Sequence, residues 1–96
     1  MKAVVVNDSF FIDEDAYLIY RNGKAFTVPK KEFELLSLLN SKPGKVLRRE
    51  EIFQAIWSKE TDITSRTIDV HIRRIRQRFG EELIRTVIGV GYKLVV

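Results

Sequence analysis

Residues 65–79 read S-R-T-I-D-V-H-I-R-R-I-R-Q-R-F. Wound at roughly 100° per residue, Ile68, Ile72, Ile75 and Phe79 fall on one stripe, in steps of four, three and four. Such a stripe predicts a buried face. Arg66, Val70, Arg73, Arg74 and Gln77 point the opposite way, which makes a helix with a dry back and a cationic front. The stretch holds five arginines and one acid, Asp69, whereas the other 81 residues hold 12 Lys/Arg and 12 Asp/Glu, so its charge equals the +4 of the whole chain. Cations in a last helical turn are favoured by the helix dipole without any partner. Val70 asks for more, because a β-branched apolar residue amid arginines loses helix propensity and gains no burial unless that face meets something. A valine suits a thymine methyl, and arginines suit guanine edges and phosphates. The stretch is therefore read as a recognition helix over 65–79.

Ninety-six residues with 45% hydrophobic content suit one small domain, 1–96, with a single core. There is no cysteine, and His71 is the sole histidine, so neither a disulfide framework nor a zinc site is expected, and no cofactor. The N-terminal run M-K-A-V-V-V is too short for a signal peptide, and no segment approaches the ~20 apolar residues of a membrane span, so the expected compartment is the cytoplasm. A pI near 9.6 favours a polyanionic partner.

Residues 3–28 carry short apolar runs, A-V-V-V, F-F-I, Y-L-I-Y and A-F-T-V, which predict a four-stranded antiparallel sheet. Asn22-Gly23 suits a type I′ turn and pairs the third and fourth strands as a hairpin. Asp13, Glu14 and Asp15 lack the glycine and distal glutamate of a calcium loop and read as a turn. Residues 1–28 carry one more acid than base, so this sheet is expected to be a platform rather than a nucleic-acid surface. A first helix is predicted to start with Pro29 in its first position, with Phe33, Leu35, Leu36, Leu38 and Leu39 on its apolar face. A second runs near 49–57 with Ile52, Phe53, Ile56 and Trp57 together. A polar connection, 58–64, leads to the third, which Thr64 or Ser65 is placed to cap. Gly80 can end that helix, and residues 84–96 read as a closing hairpin around Gly89-Val90-Gly91.

Taken together, S-R-T-I-D-V-H-I-R-R-I-R and R-T-V-I-G-V-G-Y, with E-F-E-L-L at 32–36 and R-E-E-I at 49–52, resemble the winged-helix effector domain of OmpR/PhoB-type bacterial two-component response regulators over essentially the whole chain. The resemblance implies an α+β winged helix-turn-helix: an N-terminal four-stranded antiparallel sheet, three helices and a C-terminal β-hairpin wing. It implies a transcriptional regulator without enzymatic activity that binds double-stranded DNA sequence-specifically, with helix 65–79 in the major groove and wing 84–96 near the minor groove. Position by position, Arg66, Thr67, Asp69, Val70, His71, Arg73, Arg74 and Arg76 match the recognition-helix contact set. Arg49, Trp57, Thr86 and Tyr92 match phosphate-contacting positions, and Gly89, in the wing turn, is a further DNA-binding position. Connection 58–64 matches a loop that contacts RNA polymerase in several members. A monomer in isolation and a head-to-tail dimer on a direct-repeat operator are implied as well. The family's receiver domain has no counterpart in these residues. Ile88 stands where relatives often carry a minor-groove arginine. Pro29 and Arg48 stand where relatives often carry hydroxyl N-caps, so two caps are expected to be missing.

Two other functions use the same features. A protein-docking module would set the basic helix on an acidic partner. RNA binding would call for aromatics on a sheet face or groove for base stacking, and the basic face of 65–79 has none.

Overall fold

The computed structural model describes residues 3–7, 10–58 and 66–95. Asn22 and Gly23 both have positive φ, 53° and 79°, the backbone that a two-residue hairpin turn demands. The turn joins β3 (Leu18–Arg21) to β4 (Lys24–Phe26), with Arg21 opposite Lys24. β3 pairs antiparallel with β2 (Phe10–Asp13), and β2 with β1 (Ala3–Asn7), giving the expected four strands in order β1-β2-β3-β4. Of the acidic run, Asp13 ends β2 and Glu14 and Asp15 enter the turn to β3. Its geometry is fixed by Asp13 Oδ1, which accepts the Ala16 N–H at 3.1 Å. Strand alternation puts Phe10, Ile12 and Ile19 into the core, while Phe11 and Tyr20 stack at 4.5 Å.

The helices are α1 (Lys30–Ser41), α2 (Arg49–Trp57) and α3 (Arg66–Phe79). Ile68, Ile72, Ile75 and Phe79 are all buried, as their stripe predicts, together with Phe33, Leu35, Leu36 and Leu39 of α1 and Ile52 and Trp57 of α2. Phe79 ends α3 and meets the sheet, edge-on to Phe10 at 5.8 Å and to Phe26 at 5.6 Å. The N-terminal sheet is thus a platform that clamps the far end of the basic helix. Connection 58–64, apart from Ser58, and the proposed caps Thr64 and Ser65 lie outside the described residues.

The helix starts differ from expectation. Pro29 is the N-cap of α1, not its first helical residue, because its ψ of 147° is extended. It makes no side-chain cap bond and has no N–H to offer Glu32, the third helical residue, in a capping box. Glu32 is buried and its Oε1 has no hydrogen-bond partner. At α2 the corresponding bond is made: Glu51 Oε1 accepts the Arg48 N–H at 3.1 Å. The reciprocal half is chemically barred, since arginine has no acceptor. Replacing Pro29 by threonine would restore both halves at α1. Caps are worth about 0.5–2 kcal/mol and lost proline rigidity costs about 0.4–1 kcal/mol, so a net gain of about 1 kcal/mol is expected. In thermal unfolding this reads as a midpoint rise of about 4–8 °C.

The wing strands β6 (Ile84–Val87) and β7 (Gly91–Leu94) form the expected hairpin, with Thr86 opposite Tyr92. A two-residue strand that sequence reading did not anticipate, β5 (Leu47–Arg48), adds to β7, so the second sheet has order β5-β7-β6. Through β5 the wing is fastened to the start of α2. A Cβ at Gly91 would lie 2.0 Å from the Leu47 carbonyl oxygen, so only glycine allows the strands to approach this closely.

Candidate nucleic-acid interface

Burial of one stripe fixes what α3 offers on the other side. Arg66, Val70, Arg73, Arg74, Gln77 and Arg78 are exposed, and Thr67, Asp69, His71 and Arg76 are half-buried along the flanks. Val70 is 45% exposed, an apolar side chain on a cationic surface. The wing turn carries Ile88, 92% exposed, beside Gly89, whose φ is 77°.

Five of the residues matched to DNA contacts do not stand free. Asp69 Oδ1 accepts from Arg49 Nη2 at 2.9 Å, from Arg49 Nε at 3.3 Å, and from the Tyr92 hydroxyl. Arg49 Nη2 also donates to the Tyr92 oxygen at 3.2 Å, and its guanidinium lies 5.4 Å from the centre of the Tyr92 ring. One carboxylate oxygen therefore joins α2, α3 and β7. Two turns along, Arg76 Nη2 donates to the Ile84 carbonyl at 2.7 Å and to Thr86 Oγ1 at 2.8 Å, which ties α3 to β6. The Arg76 guanidinium also lies 6.0 Å from the Tyr92 ring. Helix α3 and the C-terminal hairpin are bolted together at Asp69 and again at Arg76.

The bonds shift ionisation in ways that preserve them. Partial burial pushes the Asp69 carboxyl up, but hydrogen bonds from Tyr92 and Arg49, with the charges of Arg49 and Arg66, outweigh this and hold it below the ordinary carboxylate value. The hydrogen bond to Asp69 raises Arg49. Burial, then the bond to Asp69, raises the Tyr92 phenol. Because the folded-state value of Asp69 is depressed, its contribution to stability is present above the unfolded-state value and is lost as pH falls through the folded one. At neutral pH the joint is intact.

The remaining matched positions are placed elsewhere. Trp57 is 1% exposed, in the core, with its ring edge-on to His71 at 5.3 Å. His71 Nδ1 lies 2.8 Å from the Thr67 carbonyl oxygen; a carbonyl only accepts, so Nδ1 carries the proton. Arg66, Thr67, Val70, Arg73 and Arg74 alone remain as an outward set on α3, and Gly89 lies at the wing turn, on a different element. Among the described residues no group of His, Asp and Glu is arranged to hold a metal ion, and no helix is long and apolar enough to cross a membrane.

Three helices with a hairpin packed beside an exposed basic third helix define a winged helix-turn-helix. Residues 23–94 match the family model described as "Transcriptional regulatory protein, C terminal". The chain belongs to that family, the DNA-binding effector domains of OmpR/PhoB-type response regulators. It is 36% identical over 90 residues to the transcriptional regulatory protein VxrB of Vibrio cholerae, covering 94% of this chain and 37% of VxrB. The response regulator DrrB of Thermotoga maritima, an OmpR/PhoB homologue, superposes with a TM-score of 0.87 at 32% identity, over 98% of this chain and 44% of DrrB. The DNA-binding domain of the response regulator AdeR, solved in complex with an intercistronic region, superposes with a TM-score of 0.79 at 26% identity, over 93% of this chain and 95% of that one. The chain thus spans less than half the length of VxrB and of DrrB.

Proposed function

We propose that this domain binds duplex DNA sequence-specifically for transcriptional regulation within a two-component system. In this reading α3 lies in the major groove and the wing turn lies near the adjacent minor groove. The observation that carries the reading is the exposed Val70 among Arg66, Arg73 and Arg74 on the side of α3 opposite the core. An apolar side chain there costs helix propensity and is useful against a thymine methyl. Arg74 and Val70 are the proposed base readers, and Arg66 and Arg73 the proposed phosphate contacts. A DNA complex of the AdeR domain supports a DNA partner. The family likeness supplies two further parts of the reading. Two domains bind head to tail on direct repeats about one helical turn apart, and connection 58–64 contacts RNA polymerase.

The test is a selection from a randomised duplex pool, followed by titration of the enriched and random duplexes. Arg74→Ala should cost on the order of 1–3 kcal/mol on the enriched duplex while sparing the random one. Equal weakening of both would remove Arg74 from base reading. Competition by duplex DNA, single-stranded RNA and an acidic polymer in one salt series separates DNA binding from RNA binding and from docking on an acidic protein.

A further inference from the structure

The single acid of α3 sits where a DNA-binding surface gains nothing from a negative charge, and three hydrogen bonds converge on one of its oxygens. The Nε/Nη2 edge of Arg49 is the edge that grips a phosphate in bidentate fashion, and in this structure Asp69 already holds it. The Tyr92 hydroxyl, another donor suited to phosphate, also gives its proton to Asp69.

We propose that Asp69 is a positioning residue that acts through Arg49 and Tyr92, withholding both from indiscriminate phosphate contact while fixing the wing against the recognition helix. The proposal rests on the DNA-binding reading above. Asp69 is then a built-in competitor for phosphate. It lowers affinity for every duplex by occupying a cation, and it preserves discrimination because its carboxylate holds Arg49 and Tyr92 and leaves Val70 and Arg74 to read the bases. A carboxylate with a purely structural role would affect folding alone.

Salt-dependent binding of wild type, Asp69→Ala, Asp69→Asn and Tyr92→Phe to a random-sequence duplex and an enriched duplex tests this, with folding checked by circular dichroism. Asp69→Ala should bind the random duplex several-fold more tightly, with a salt slope steeper by about 0.9 for the freed phosphate contact, and should discriminate less between the two duplexes. Asp69→Asn, which keeps an acceptor and loses the charge, should lie between Asp69→Ala and wild type, and it carries the test if the alanine variant does not fold. Tyr92→Phe keeps the ring beside Arg49 and Arg76 and should lower discrimination with little change of slope. A folded Asp69 variant whose slope is unchanged, or which binds random duplex more weakly, would overturn the proposal. Wild-type protein that binds neither duplex would overturn the DNA-binding reading, and this one with it.

Discussion

Ile72→Ala is expected to lower the free energy of unfolding by about 2–5 kcal/mol, the cost of deleting a fully enclosed branched side chain and leaving a cavity. Ile72 is 1% exposed, midway along the stripe that α3 turns toward α1 and α2. For a domain of this size total stability is about 5–15 kcal/mol, so a loss at the upper end leaves little folded protein at physiological temperature. Urea unfolding monitored by circular dichroism gives the value directly. Val70→Ala, two residues earlier on the opposite face, should change stability by no more than about 0.5 kcal/mol. A reversal of the two results would mean that α3 is turned the other way.

Gly91→Ala should be nearly as damaging, for a steric reason. The new methyl carbon would lie 2.0 Å from the Leu47 carbonyl oxygen and 3.0 Å from the Arg48 Cα, both backbone atoms that no side-chain rotation relieves. Overpacking of this kind costs about 1–3 kcal/mol and occasionally more, and parting β5 from β7 to relieve it would move Tyr92, which neighbours Gly91. Loss of stability should therefore be accompanied by loss of the Arg49–Tyr92–Asp69 joint, visible as more rapid exchange of the Arg49 Nε proton by NMR. Gly89→Ala is the control: no atom lies within 4 Å of its added carbon, so only the backbone strain of its positive φ is felt.

Local patterns made the helices and hairpins legible. Ile68, Ile72, Ile75 and Phe79 repeat within one helix, and Asn22-Gly23 specifies its own turn, so each reading drew on a few neighbouring residues. Contacts between distant segments were not legible. Arg49 and Asp69 are 20 positions apart, Asp69 and Tyr92 are 23 apart, and Arg49 and Tyr92 are 43 apart; no periodicity links them. The family likeness marked all three as DNA contacts, and the structure joins them to one another. β5 escaped notice because two residues make no alternation, and its partner lies more than 40 positions downstream. The burial of Glu32 escaped as well, since a charged residue reads as exposed; the missing N–H of Pro29 accounts only for its unpartnered Oε1.

The aromatic clamp at Phe79 is one of three points that hold α3, with the joints at Arg76 and Asp69. From Phe79 back to Arg66 the axis runs about 20 Å, at a rise of about 1.5 Å per residue. Were Phe79 the sole anchor, a tilt of about 5° there would sweep the Arg66 end through about 2 Å, more than a hydrogen bond tolerates. The Asp69 joint, three residues from Arg66, therefore cancels the leverage that repacking of Phe10 and Phe26 against Phe79 would otherwise exert on the far end of the helix.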